Sequence, residues 1–579
     1  MEYLASTTTA LTIPLLLPIT LYIDAKLHLA KDLGFLLRRV ATNRAIHRAA
    51  AADRLSPYYL IERNALNPKL ALKEAIWARD TSGSVSRYTF QDVLDKANQF
   101  AHWFASRGTM KGDLVGLYML NSADFLFVWI GLLAIGAAPA MLNYHLRGDA
   151  LAHCLRISGA RLVVVDGEEQ AWERVGEVHR GQRVSVEFVK LKDVKRDATG
   201  MRTERLPDEM RSGIKVTHPM ALFYTSGTTG RPKGCPLAVA AAFGNTTLSD
   251  SGSEPRYCGI SAIGQLIAGN TVCVAPRFSA SNFWRDVRDS GATWFVYVGE
   301  TLRYLLAAPP SPLDKQHNVH SIFGNGLRPD VWHRFCERFG ITQVFEIYNS
   351  SEGMLALYNA SLNDYTAHAV GHHGFLQRWK FRRDYVPVAV DVETGDIVRN
   401  PKTGFAYRMP YEVGGEILVR LVSEKQFLGY WCDPKATGKK IVRDVFENGD
   451  CYYRTGDALR RDGEGRWFFV DRHDGKAGAA AIYLDPNVND MFDHRDFLRY
   501  ARTHLPKFAV PLFLRHVQAP FSTHNNKQNK LPLKHAGVDP DKMATGDKLF
   551  WIEGHGKGAT YIPFTRRDWA KLQAGKAKL

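Results

Sequence analysis

The chain has 579 residues, 45% of them hydrophobic, enough to bury more than one core, which excludes a disordered tail. Its 75 Lys and Arg against 59 Asp and Glu leave a charge of +16, a balance suited to anionic partners such as nucleotides, coenzyme A or lipid headgroups. The basic residues are scattered without a nucleic-acid motif, so no nucleic-acid partner is expected, and seven cysteines with no CxxC pair point away from a disulfide framework or a zinc site.

The first element is the apolar run from Ala10 to Ile23, ALTIPLLLPITLYI, followed by a flank containing Lys26, Lys31, Arg38, Arg39, Arg44 and Arg48. No positive charge precedes it in MEYLASTTT, so it lacks the pattern of a cleaved signal peptide, and it is shorter than the ~20 residues of a comfortable membrane span. It reads as a membrane anchor or interfacial insertion, with a plain buried helix as the alternative.

Thr89 with Asp92 three residues later has the form of a capping box, and Val93, Leu94, Ala97, Phe100, Ala101 and Phe104 then follow a helical period. The run Phe125 to Leu142 is long enough to span a membrane, but its glycines and Pro139 favour a core helix leading into a buried strand. Leu162 to Val165, Thr271 to Val274 and Thr293 to Val298 read as strands of a parallel sheet, with a helix over Ser281 to Asp289 between the last two.

Between these lies YTSGTTGRPKG, residues 224–234, directly after the apolar run Met220 to Phe223. A glycine-rich loop between a strand and a departing helix lets backbone N–H groups and hydroxyls converge on phosphate oxygens, with a lysine adding a full charge; the alternative is a surface turn. The departure from a P-loop, in which Ser or Thr would follow the lysine where Gly234 follows Lys233, argues against the P-loop NTPase class. Further on, GGEILVRL and GRWFFVDR read as strands, with a turn at Asp462 to Gly465. From about Asp471 the composition becomes more polar, which marks a domain boundary. The last three residues, Ala577-Lys578-Leu579, approximate a peroxisomal address, with Lys571 and Lys576 nearby.

The string at 224–234 resembles the phosphate loop of the adenylate-forming acyl-CoA synthetases. Gly324-Asn325-Gly326-Leu327-Arg328 is similar to their adenine-lining segment. Tyr348-Asn349-Ser350-Ser351-Glu352-Gly353 is similar to their Tyr-Gly-x-Thr-Glu block, and Tyr453-Arg454-Thr455-Gly456-Asp457 to their Thr-Gly-Asp block. The wording around these blocks (RFSASNFW, YVGETLRYLL, FGNGLRPDVW, NNKQNKLPLKHAGVDPDKM) resembles fungal very-long-chain acyl-CoA synthetases of the fatty acid transport protein branch, over roughly residues 50–579.

The resemblance implies an α/β fold: a large multi-layer adenylation domain over 51–470, with parallel sheets and a small β-barrel section, after a membrane-anchoring segment over 1–50. A small α+β lid would follow over 471–579. It implies that Thr225, Ser226, Gly227, Thr228, Thr229, Gly230 and Lys233 bind the ATP phosphates, that Tyr224, Gly324, Asn325, Gly326, Tyr348 and Ser351 belong to the nucleotide-binding site, and that Asp457 grips the ribose. Glu352 and Thr228 would hold Mg²⁺, Arg472 would mark the hinge, and Lys527 would be inserted by the lid during adenylation, so that Lys527, Glu352 and Thr228 carry the chemistry.

The implied reaction joins an acid and ATP into an acyl-AMP with release of pyrophosphate; the thiol of coenzyme A then takes the acyl group. The implied substrate is a long- or very-long-chain fatty acid. Another hydrophobic carboxylate, such as a secondary-metabolite precursor, and a non-catalytic fatty acid transport role are the alternatives. A membrane partner is expected, with a homodimer left open. The location would be membrane-associated and peroxisomal, with endoplasmic reticulum, lipid droplet or plasma membrane as alternatives.

Two family pieces are missing. No Pro-Leu-Tyr-His type segment stands between Ser249 and Ser261, which leaves the acyl gate undefined. Asp471-Arg472-His473-Asp474 runs straight into GKAGAAAIYLD, so the expected lid is shortened.

Overall fold

The structure is a computed structural model and describes residues 18–181, 186–226, 231–244, 261–350, 352–362, 364–391, 395–472, 479–484, 492–504, 510–519, 533, 536–552 and 560–573. The chain forms two compact units. The first runs to Tyr385 and adds Leu418–Thr455 and Arg461–Phe468; the second takes Val386–Ile417, Gly456–Arg460 and the chain from Phe469 onward.

In the first unit, β1 (Glu74–Arg79) and β2 (Val85–Thr89) form an antiparallel pair that β9 (Val272–Val274) joins in parallel at the other side of β1. The larger sheet has the order β6-β5-β3-β4-β7-β8, with β3 Leu114–Tyr118, β4 Ala138–Met141, β5 Leu162–Val165, β6 Glu187–Lys190, β7 Pro219–Ser226 and β8 Pro232–Ala238. All its pairs are parallel except the last, β7 with β8. The third sheet, β10 Trp294–Val298, β11 Ser321–Asn325, β12 Gln343–Asn349 and β13 Ala356–Ser361, is parallel as far as β12.

The capping box forms as expected: Asp92 N–H donates to Thr89 Oγ1 at 3.1 Å, and Thr89 N–H donates to Asp92 Oδ2 at 2.8 Å. It opens the helix Phe90–Ser106, whose Val93, Ala97, Phe100 and Phe104 are buried. The apolar run after it is a buried helix, Ala123–Ala134, leading into β4, because from Leu126 onward its residues are apolar all round and buried. Trp129 from this helix donates its indole N–H to the Met220 carbonyl at 2.8 Å, fixing the helix to the strand that carries the glycine-rich loop.

The chain does not enter a helix after that loop, as the sequence reading had it. Residues 219–226 and 232–238 close a hairpin instead, and the helix Ala240–Phe243 follows only after β8. Pro232 and Pro236 cannot donate to a ladder, but an edge strand such as β8 tolerates them.

Also in the first unit, β14 (Gly371–His372) pairs with residues 466–467 of β19 (Arg466–Arg472), and β17 (Ile441–Arg443) pairs with residues 451–453 of β18 (Cys451–Arg461). Of β15 (Tyr385–Val388) and β16 (Gly415–Arg420), residues 385 and 418–420 belong to the first unit and residues 386–388 and 415–417 to the second. The small barrel expected in this region is corrected: among the described residues every sheet is an open path.

The second unit contains β20 (Ala479–Ile482), β21 (Phe513–His516), β22 (Lys548–Ile552) and β23 (Tyr561–Pro563) in that order, the first pair parallel and the others antiparallel. Phe513, Leu549, Trp551 and Phe564 form one core there, and Leu498, Leu514 and Tyr561 another. The C-terminal sequence therefore builds a four-stranded sheet around buried apolar side chains.

Candidate functional site

Alternation along β7 sorts the first loop residues onto opposite faces. Tyr224 points into the protein: its hydroxyl donates to the Cys154 carbonyl at 3.1 Å, and burial raises its pKa. The Tyr224 hydroxyl thereby ties β7 to the helix that carries Cys154. Thr225 faces the other way, opposite Lys233, with its Oγ1 3.8 Å from Cys235 Sγ. Burial, followed by the charge of Glu352, pushes the Cys235 thiol up to about 12, so it is an inert wall.

The start of β8 is held by His153, whose Nε2 donates to the Pro232 carbonyl at 2.9 Å. Lys233 comes next, its ammonium 4.8 Å from the centre of the Tyr430 ring. Trp431 N–H donates to the Gly234 carbonyl at 2.8 Å, tying the segment after Phe427 to β8. Tyr430 in turn donates its hydroxyl to Glu352. Thr225, Lys233 and Glu352 are thus brought together around Tyr430, a residue that the sequence reading passed over. Its one local signal is the Gly429-Tyr430 pair, with Gly429 at φ 77°.

Glu352 follows β12 through a turn in which Gly353 N–H donates to the Ser350 carbonyl at 2.9 Å, at φ 70° for Gly353. β11 ends alongside in Gly324-Asn325-Gly326, so both segments leave the carboxyl ends of parallel strands, where open α/β sheets bind ligands. Two glycines here are required by close backbone approach. A Cβ on Gly299 would stand 1.8 Å from the Gly326 carbonyl oxygen, and one on Gly324 would stand 2.1 Å from that of Tyr297.

Beneath this turn lies Glu346, 1% exposed. Its Oε1 accepts the Leu327 N–H at 3.1 Å, and its other oxygen accepts the Tyr297 hydroxyl. Tyr348 is two residues on and shares the face of Glu346. Burial pushes the Glu346 carboxyl up to about 8 from its ordinary 4.5. A folded-state pKa raised in this way contributes stability that is full below 4.5 and is lost as the pH rises through 8. The parent is therefore expected to lose stability between about pH 5 and 8, in guanidinium melts, more steeply than Glu346→Gln; parallel curves would contradict this.

Lys440 is a second residue that the sequence did not signal: its ammonium donates to the carbonyls of Arg454 at 3.3 Å and Thr455 at 3.2 Å. In the second unit, Gly456 N–H donates to Glu416 Oε1 at 3.0 Å, and the neighbouring Asp457 is a buried residue of β18. Asp457 therefore lies within a strand. Arg472 closes β19 in the same unit. Ser226 is described as the last residue of β7 in backbone only. Gly227, Thr228, Thr229, Gly230, Ser351 and Lys527 lie outside the described residues, as do Ala577-Lys578-Leu579 and most of the stretches where family pieces are missing.

The AMP-binding enzyme family model matches residues 67–431. Isopenicillin N epimerase component 1 of Hapsidospora chrysogena is 40% identical, covering 96% of this chain and 96% of the relative. A very long-chain fatty acid transport protein of Cochliobolus heterostrophus is 30% identical over 97% of this chain and 95% of its own length. A medium/long-chain-fatty-acid–CoA ligase, FadD6, of Mycobacterium tuberculosis is 32% identical over 82% and 85% respectively. In fold, the chain matches ATP-bound MatB from Rhodopseudomonas palustris with a TM-score of 0.63 at 19% identity, over 84% of this chain and 99% of that one. The alignment with the Hapsidospora protein runs over 623 positions against the 579 residues here, so at least 623 − 579 = 44 positions of the alignment have no counterpart in this chain.

Proposed function

We propose, from the premise that this chain belongs to the family of AMP-binding enzymes, that it activates a hydrophobic carboxylic acid with ATP and transfers the acyl group to coenzyme A. The observation that carries this reading is the convergence of Thr225, Lys233 and Glu352 on one place at the carboxyl end of the parallel sheets. A carboxylate acylates poorly because its oxygen leaves badly, and exchange of that oxygen for AMP removes the obstacle. Carboxylate oxygen would attack the α-phosphorus as the bond to pyrophosphate breaks; the coenzyme A thiol would then displace AMP from the carbonyl carbon. No enzyme nucleophile is needed, so positioning and charge stabilisation supply the rate.

Glu352 offers a carboxylate oxygen, the ligand type that a hard cation takes. Glu352, with Thr228, would hold Mg²⁺, which when bound neutralises phosphate charge. Lys233 would meet the outer phosphates, Gly324 to Gly326 and Tyr348 the adenine, and Asp457 the ribose. Ser351 would lie beside that pocket and Lys527 would meet the attacking oxygen, with 471–579 acting as the lid.

Relatives named for long- and very-long-chain fatty acids support such an acid as substrate. The 40% identical relative named as a component of isopenicillin N epimerase favours a second reading, activation of a non-fatty carboxylate. ATP–pyrophosphate exchange over a panel of fatty acids and amino-acid-derived acids separates the two, and no exchange with any acid would refute both.

Among the described residues no helix is long and apolar enough to cross a membrane. We propose contact with an anionic lipid surface through two helices, Leu29–Ala51 and Phe375–Phe381, which buried Asp32 joins by accepting the N–H groups of Gly374 at 3.0 Å and Gln377 at 2.9 Å. Leu33, Leu37 and Val40 are exposed on the first helix. Phe375 and Trp379 are exposed on the second, with the Arg382 guanidinium 4.7 Å from the Trp379 ring. Aromatic rings rimmed by cations suit such a surface. The double change Phe375→Ala, Trp379→Ala is expected to weaken binding to phosphatidylserine-containing vesicles about tenfold in co-sedimentation, and unchanged binding would refute the surface. The final Ala577-Lys578-Leu579 is proposed as a peroxisomal address, testable by moving it to a reporter protein.

A further inference from the structure

Tyr430 touches the two charged groups of the site with different parts of one side chain. Its hydroxyl donates to Glu352, while its ring lies under the Lys233 ammonium, 4.8 Å from ring centre to Nζ. The residue is 7% exposed, packed with Cys235 and Ala436 and edge-on to Phe427 at 6.3 Å. Its backbone is equally constrained. Tyr430 N–H donates to Thr437 Oγ1 at 2.9 Å, Asp433 N–H donates to the Tyr430 carbonyl at 3.2 Å, and the next residue is bonded to Gly234 on β8. The ring is therefore delivered to the site by a rigid turn.

A lysine and a glutamate that face one place attract each other, and an ion pair between them would withdraw both from an incoming polyphosphate and its cation. Here they form no ion pair with each other: Glu352 takes the phenol, and Lys233 takes the electron-rich ring face. Burial, and then the bond to Glu352, raise the phenol's pKa, so that it stays a donor.

We propose that Tyr430 is a positioning residue which keeps Lys233 and Glu352 apart, so that the ammonium remains available to the outer phosphates and the carboxylate to the cation. The inference rests on the reading of this site as the ATP phosphate site, and it deepens that reading by naming the residue that prevents the site from neutralising itself.

The test is calorimetric and needs no turnover. ATP and AMP are titrated, with Mg²⁺, into the full-length parent, Tyr430→Phe, Glu352→Gln and the double variant. Tyr430→Phe keeps the ring and loses the hydroxyl. It is expected to weaken ATP binding about 10- to 100-fold, the range for a lost hydrogen bond to a charged group, while AMP, which lacks the outer phosphates, changes less than about twofold. In the Glu352→Gln background, where no carboxylate remains to capture Lys233, the same change is expected to shift ATP binding less than about twofold.

Equal losses for ATP and AMP, or an undiminished effect without Glu352, would reduce Tyr430 to packing and overturn the proposal. Unchanged or tighter ATP binding by Tyr430→Phe would also overturn it. A parent that binds no ATP would refute the phosphate-site reading first, which keeps the two failures distinct. Should Tyr430→Phe not fold, Tyr430→His, which retains a ring and a donor, is expected to restore ATP binding to within about tenfold of the parent, and its failure to do so would count against the proposal.

Discussion

Lys233→Ala is expected to fold normally and to exchange pyrophosphate into ATP at least about 100-fold more slowly than the parent, the usual cost of removing one charge-stabilising donor from such a site. The fold should tolerate the change because β8 is held by backbone pairing with β7 and by the bonds of Pro232 to His153 and Gly234 to Trp431, none of which uses the lysine side chain. Its ammonium instead rests on the Tyr430 ring, a contact worth about 0.5–2 kcal/mol. Glu352→Ala should lose a similar factor and require more Mg²⁺. The measurement is isotope exchange with a saturating acid. Exchange within threefold of the parent would mean that phosphates are not met at Lys233. Fatty acid uptake in cells that survives both changes would favour a non-catalytic transport role.

The second large effect concerns stability in the C-terminal unit. Arg515 Nη2 stands 2.7 Å from Asp547 Oδ2, with side chains 7% and 2% exposed, and the Arg515 Nε donates to the same oxygen at 2.8 Å. Asp547→Ala leaves a buried guanidinium without its counter-charge, an expected cost of about 3–5 kcal/mol. For the small cores around Phe513 and Leu514 that is enough to melt the unit. It should appear as rapid proteolysis within 479–573 while the first unit stays intact. The paired change Arg515→Met, Asp547→Leu removes both charges and should regain most of the loss. Resistance of Asp547→Ala equal to that of the parent would show that the C-terminal unit draws little stability from this pair.

Much of the fold was legible because its signals are local. The capping box at Thr89, the run of the helix Ala123–Ala134 into β4, and the strands at 162–165, 272–274 and 294–298 all follow from spacing and residue type. The hairpin that replaces the expected helix after the glycine-rich loop was not legible. Its second strand carries two prolines, and only a place at the sheet edge makes it a strand. Tyr224 shows the same limit within the motif itself. Its neighbours resemble a phosphate loop, yet alternation turns its hydroxyl to the Cys154 carbonyl.

The amino-acid order by itself determined the α/β class, the family, and the identity of Lys233, Glu352 and the Gly324 to Gly326 turn as candidates, since each is written in a short contiguous string. Only the tertiary structure decided what holds them. Tyr430 reaches Glu352 across 78 positions, His153 reaches Pro232 across 79, and Glu346 sits under a turn 19 residues away. Such partners are chosen by strand order and burial, and a single contact between distant segments leaves no period in the chain to reveal it.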